Sequence, residues 1–286
     1  MKQKRFTFLL LFVANLFCAS AQKWYTPEID QKVEDLLKQM TVEEKLGYIG
    51  GVNWMYTKSI DRLGIHRMKM SDGPQGLGTD GKSTAYPSTV TLAATWNENL
   101  AYQYGKALGR DCRARNVNVI LGPAVNIYRA PMCGRNFEYM GEDPYLTSRI
   151  CVGYIKGVQD QGVMATVKHF VANNSDYDRN NISNDIDERT LNEIYFPAYK
   201  AAIQEAEVGA VMTSYNLMNG IYTTENPWLL KEVLRNQWGF KGLVMSDWGS
   251  THYCVPAAKG GLDLEMAGGE KMNPKDMAYY LKTGDV

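Results

Sequence analysis

Five places in this 286-residue sequence join a short apolar run to residues capable of chemistry. Asp72 follows Met68-Lys69-Met70, and Asn126 and Arg135 follow the run 117–121. Lys168 and His169 follow Ala165-Thr166-Val167, and Tyr215 and Asn216 follow Val211-Met212-Thr213-Ser214. Asp247 and Trp248 follow Leu243-Val244-Met245-Ser246. A core rejects such groups, because burying an ionisable side chain is costly unless it is paired or used. Together they offer carboxylates that accept hydrogen bonds, Lys, Arg and His that donate them, and an aromatic wall. A polyhydroxylated substrate with one apolar ring face needs that mixture. Simpler readings exist for each: a lone Asp after a strand can cap a turn, Lys168-His169 can form a core ion pair, and Tyr215 can be packing.

Strands and helices must alternate to bring these groups together. The runs 117–121, 163–167, 210–214, 242–246 and 262–266 are short, apolar and β-rich. Helical patterns lie around them at 29–40, 98–114, 146–161, 187–205 and 227–238, and Thr41 with Glu44 forms a capping box. Near-continuous apolar strands separated by helices indicate a parallel sheet covered on both faces. At this length the pattern predicts an α/β fold, a (β/α)8 TIM-type barrel, whose sites gather at the carboxyl ends of the strands. The glycine clusters at 47–51 and 73–78 form no dinucleotide fingerprint, and no phosphate-cradling lysine motif occurs. No internal repeat or low-complexity linker divides the chain.

Composition narrows the classes further. With 45% hydrophobic and 22% charged residues the chain is neither disordered nor fibrous. Its 31 basic and 31 acidic side chains balance, which argues against a nucleic-acid surface or an anionic-membrane binder. Lys2, Lys4 and Arg5, a short apolar stretch 6–17 and Ala19-Ser20-Ala21 read as a signal peptide over 1–21. An exported protein, periplasmic or secreted, is expected, with a mature domain over 22–286 and no membrane span. Cys112, Cys133, Cys151 and Cys254 would remain, and both disulfides and free thiols stay open. His66, His169 and His252 are too scattered for a metal site, and no cofactor is expected.

The stretch Gly239-Phe240-Lys241-Gly242-Leu243-Val244-Met245-Ser246-Asp247-Trp248 resembles the nucleophile signature of family 3 glycoside hydrolases. Ser71-Asp72-Gly73-Pro74, Gly134-Arg135-Asn136-Phe137-Glu138, Gly141-Glu142-Asp143-Pro144, Lys168-His169-Phe170 and Ser214-Tyr215-Asn216 match in the same order. The resemblance covers essentially the whole mature chain. It implies a barrel domain and retaining hydrolysis of a β-linked oligosaccharide or glycoside, with Asp247 as nucleophile. It also implies that Asp72, Arg135, Lys168, His169, Arg179 and Tyr215 hold the innermost sugar, with Trp248 stacked beside it. Glu138 and Glu142 read as arginine partners or loop braces. The Gly-Arg-Asn-Phe-Glu form is more similar to the β-glucosidases than to the β-xylosidases. Phe170-Val171-Ala172-Asn173-Asn174-Ser175-Asp176 lacks the second histidine of the hexosaminidase branch.

One departure stands out. In the glucosidase branch the general acid/base is a glutamate from a second, α/β sandwich domain downstream of the barrel. This sequence ends at Val286, so that domain is expected to be absent and the last barrel helix incomplete. Asp263 and Glu265 are weak substitutes, read first as braces. Two functions are therefore carried forward: a glycoside hydrolase completed by a downstream domain or partner, and an impaired, sugar-binding barrel.

Overall fold

The structure, a computed structural model, describes residues 25–79 and 81–286. The expected signal peptide at 1–21 lies outside the described residues. Five parallel strands form the main sheet: β1 (Met70–Asp72), β2 (Val119–Leu121), β3 (Met164–Phe170), β4 (Ala210–Thr213) and β5 (Leu243–Met245). Their spatial order follows the chain, β1-β2-β3-β4-β5. Alternate residues along each strand enter different apolar clusters. Val119, Leu121, Ala210, Met212 and Met245 face an inner, methionine-rich cluster, while Ile120, Val211 and Val244 face the outer layer of helices. Burial on both faces explains the near-continuous apolar runs.

Backbone pairing continues beyond both edges of this sheet through single bridges. Leu264 pairs in parallel with Met245, and Glu265 in parallel with Gly50. Val52 then pairs antiparallel with Tyr56, and Tyr56 antiparallel with Lys69 beside β1. The expected strand at 262–266 is thus present only as bridges. The fold is α/β with a parallel sheet, and the two antiparallel bridges are foreign to a regular eightfold β/α repeat.

The α-helices of seven residues or more are α1 (Pro27–Gln39), α2 (Val42–Tyr48), α3 (Glu98–Ala114), α4 (Pro144–Gln159), α5 (Pro197–Gln204), α6 (Cys254–Gly260) and α7 (Pro274–Thr283), and the helix expected over 227–238 is π-helical at Trp228–Gln237. The Thr41–Glu44 capping box opens α2 as expected. The single helix expected over 187–205 is broken: a turn at Glu188–Thr190 leads into π-helical Leu191–Tyr195, and Pro197 starts α5 afresh. The last helix, expected to be incomplete, is capped by Asn273 at its start and by Gly284, at φ 80°, after its end. All four described cysteines are free thiols. No described helix is long and apolar enough to cross a membrane.

Consecutive β/α units bring α3 and α4 side by side, and small residues set their distance. A Cβ on Gly157 would sit 2.1 Å from the Tyr102 carbonyl oxygen, and one on Gly105 would sit 2.1 Å from that of Tyr154. These contacts are with backbone, which cannot swing away. Gly157→Ala is therefore expected to destabilise the fold by about 1–3 kcal/mol despite its better helix propensity. Urea melts of the variant and parent would measure it, and an unchanged midpoint would contradict this packing.

Candidate active site

A pocket of about 270 Å³ opens at the carboxyl ends of the strands, above the inner cluster. Its lining includes Asp72, Arg135, Lys168, Arg179, Tyr215, Asp247 and Trp248. Seven of the eight residues expected from the sequence therefore meet on one wall. The eighth, His169, is fully buried and stands behind Asp247 rather than on the pocket surface. A larger surface groove beside α4 and α5 contains none of them.

Strand ends explain the convergence. Asp72 is the last residue of β1, Lys168 and His169 lie in the final turns of β3, and Asp247 comes two residues after β5. Arg135 comes from the loop after β2 and Tyr215 from the turn after β4. Arg179 reaches in from a longer loop, its guanidinium 3.9 Å over the Tyr215 ring and paired with Asp176 at 3.4 Å.

The Asp247 carboxylate is buried with unequal oxygens. Oδ1 accepts the Trp248 backbone N–H at 2.7 Å. Oδ2 lies 3.8 Å from an Arg135 nitrogen and 3.5 Å from His169 Nε2, and both Oδ2 and Nε2 lack a hydrogen-bond partner of good geometry. The Tyr215 hydroxyl faces the same carboxylate. Burial pushes the Asp247 carboxyl above its ordinary range, against the opposing pull of Arg135, Lys168, the Trp248 N–H and Tyr215. Burial, reinforced by Arg135, Lys168 and Arg179, pushes His169 well below the ordinary imidazole range, so the ring is neutral.

Each cation has its own anion. Lys168, with its side chain 3% exposed, donates to Asp72 Oδ1 at 3.0 Å and lies 4.0 Å from Glu138. Arg135 pairs with Glu138, the partnership expected for that glutamate. Asp72 is half-open to the pocket; desolvation pushes its carboxyl up, but Lys168, Arg135 and the Gly73 N–H outweigh it and hold it below the usual range. Asp72 is thus an anion suited to accepting from hydroxyls. Glu265 accepts the backbone N–H groups of Glu270, Lys271 and Met272, and Asp263 binds Arg235 and the Val244 N–H. Both brace loops. Among the described residues no group of three His, Cys, Asp or Glu could hold a metal ion.

Trp54 and Met55 line the pocket without having been singled out from the sequence. Trp54 is 65% exposed, and its carbonyl accepts the Trp248 indole N–H at 2.9 Å, which ties the two tryptophans together at the rim. An exposed tryptophan in an irregular stretch was the available signal.

Because its carboxyl is raised in the folded state, ionised Asp247 costs stability, and that cost grows as pH rises from the ordinary carboxylate range through the folded value. Asp247→Asn is therefore expected to melt a few degrees higher than the parent at neutral pH, each kcal/mol being about 2–4 °C at this size. The advantage should shrink as pH falls and the parent carboxyl protonates. Thermal scans across pH check this, and a variant that melts lower at neutral pH would contradict it.

Comparison with known proteins agrees with this geometry. Residues 37–284 match the glycosyl hydrolase family 3 N terminal domain. A β-glucosidase of Rhizobium radiobacter is 47% identical over 260 residues, covering 89% of this chain and 32% of the relative. An exo-alpha-(1->6)-L-arabinopyranosidase of Bifidobacterium breve is 40% identical, covering 80% of this chain and 32% of its own length. The structure of β-glucosidase 3B from Thermotoga neapolitana in complex with glucose superposes with a TM-score of 0.85 at 39% identity, over 89% of this chain and 40% of that one. The chain thus spans about a third of the length of the curated relatives it matches. With the motifs, the sheet and the family match in agreement, this chain belongs to glycosyl hydrolase family 3, through that family's N-terminal domain.

Proposed function

We propose that this chain carries the sugar-binding and nucleophilic half of a retaining β-glycosidase, acting on terminal β-D-glucosyl or related glycosyl residues. The observation that carries it is Asp247: a buried carboxylate with one oxygen unbonded, at the base of a pocket lined by Asp72, Arg135 and Lys168. In the first step the Asp247 carboxylate bonds to the anomeric carbon, the glycosidic C–O bond breaks, and the leaving oxygen takes a proton. In the second step water cleaves the glycosyl ester, restoring the carboxylate with net retention. Asp72 accepts from sugar hydroxyls, Lys168 and Arg135 donate, and hydrogen bonds that strengthen as the oxocarbenium-like state forms raise the rate. Trp248 and Trp54 flank the space for the leaving group. We take the sheet, with its bridges, to be a barrel with one reversed segment, and the domain to run over 22–286 after an export signal. The relatives' names include a glucosidase and an arabinopyranosidase, so the sugar is read as glucose-like without a fixed C6 substituent.

The leaving group's proton needs another source. The pocket's two carboxylic residues are Asp247 and Asp72, and Asp72 is held ionised by Lys168. Retaining hydrolysis needs an acid about 5–5.5 Å from the nucleophile, and losing one costs about 10²–10⁴-fold. That favours a second reading for the chain acting alone, a sugar-binding barrel with impaired turnover, the acid coming from a downstream domain.

The nucleophile is tested by an activated 2-deoxy-2-fluoro-β-glucoside, whose leaving group needs no proton. Intact mass and peptide mapping are expected to show one label on Asp247, formed more slowly as pH falls below the raised carboxyl value. No label in a folded chain would remove the nucleophile assignment and leave binding alone. Trp54→Ala is expected to raise KM for an aryl glucoside about 2–10-fold, as befits one lost aromatic contact. The same change should leave labelling by a fluoride-leaving analogue unaltered, and equal effects on both would refute a role at the leaving-group side.

A further inference from the structure

The site's least explained atoms are the two buried ones that face each other without a bond, His169 Nε2 and Asp247 Oδ2. What lies on the far side of the imidazole decides their relation. Residues 124–126 run beside the end of β3, with Ala124 bridged to Lys168 and the Val125 N–H bonded to the Lys168 carbonyl. This lays the buried side chain of Asn126 against the His169 backbone. Its Nδ2 donates to the His169 carbonyl at 2.9 Å, and its Oδ1 accepts the His169 N–H at 2.9 Å. A carbonyl can only accept and an N–H can only donate, so the amide's orientation is fixed by backbone. The same Oδ1 lies 3.2 Å from His169 Nδ1. An oxygen already fixed as an acceptor requires the proton on Nδ1. In a neutral imidazole the other nitrogen is then bare.

We propose that Asn126 is a positioning residue: it locks His169 as the Nδ1–H tautomer and so turns a bare Nε2 lone pair toward Oδ2 of Asp247. The inference deepens the reading of Asp247 as nucleophile and rests on it for its catalytic meaning. A donor at that position would hydrogen-bond Oδ2 and tie up its lone pair. A bare nitrogen leaves Oδ2 the freer oxygen, Oδ1 being held by the Trp248 N–H, and presses on it electrostatically. Bond formation from the carboxylate to the anomeric carbon drains charge from both oxygens and relieves that pressure, so the interaction is worse in the ground state than in the transition state. His169 loses and gains no proton in the step.

The groups around the ring are consistent with neutrality. Arg135, Lys168 and Arg179 are the nearby cations, Asp247 is the carboxylate against Nε2, and the Tyr139 ring packs edge-on at 6.2 Å. The Tyr199 hydroxyl donates to the His169 carbonyl at 2.6 Å and holds the backbone in place.

Long-range ¹H–¹⁵N spectra of the full chain, labelled at its three histidines, test this without any glycoside. The signals lost in His169→Gln identify the residue. Nδ1 is expected to carry the proton and Nε2 to be bare from about pH 5 to 8, where an ordinary histidine titrates. A proton on Nε2, or titration within that window, overturns the proposal whatever any variant does. In Asn126→Ala the tautomer is expected to become mixed or inverted, and labelling of Asp247 at saturating fluoroglucoside to slow by about 10–100-fold, as for other groups that orient a histidine. An unchanged tautomer in that variant removes Asn126 from the role. A parent chain with the expected tautomer but no label on Asp247 would overturn the hydrolase reading and leave this assignment standing.

Discussion

Everything at the pocket depends on one carboxyl group buried among cations. Asp247 is buried, and burial pushes its carboxyl up while Arg135 and Lys168 pull toward the anion, with the Arg135 nitrogen still 3.8 Å from Oδ2. Those cations would be as costly as the carboxylate if left alone, so each is balanced: Lys168 by Asp72, Arg135 by Glu138, Arg179 by Asp176. The site is an alternation of charges in which, among the described residues, Asp247 alone has a buried carboxylate oxygen without a hydrogen-bond partner.

The scaffold exists to hold those charges in register. Because β1 to β5 are parallel and neighbours in sequence order, their carboxyl ends share one rim. Each strand contributes its next residues to the same small volume. Methionine and leucine side chains of the inner cluster form a floor that offers no competing hydrogen bonds. The glycines between α3 and α4 draw the outer layer close, so that helix positions, and with them the loops above, are set by backbone contact.

Much of this was legible in the sequence, for an identifiable reason. Strands buried on both faces are apolar along their length, so β2 to β5 stood out, and the helix read at 98–114 forms over those residues, capped by Asn97. Each polar residue after such a strand has a simpler reading by itself, but their recurrence after strand upon strand points to a site. The segments without periodicity were harder. The pairings of Gly50, Val52 and Tyr56 are single bridges, and Trp54 sits at φ 68° between them, so no alternation marks them. The glycines at 50 and 51, which fit no nucleotide motif, are small because residues 266–269 pass against them: a Cβ on Gly50 would meet the Gly269 Cα at 2.7 Å. Sequence also cannot say on which side of Asp247 a histidine stands. The resemblance implied that His169 holds the sugar, and only the fold puts it behind the carboxylate.

The bridge between Gly50 and Glu265 joins segments roughly 215 residues apart in the chain. During synthesis, emergence proceeds at about 5–20 residues per second, so segment 49–52 waits on the order of ten seconds or more for its partner. The turn carrying Trp54 waits with it. The strands β1 to β4 can pair as they appear, since each new one adds beside the last, but the wall of the pocket nearest Trp54 closes only when the final bridges form. Contacts of such high separation are slow to make, and they leave apolar surface open meanwhile. The pocket wall beside Trp54 is therefore built late, with only α7 still to come, and the inner cluster beneath it is what a chaperone would have to shield.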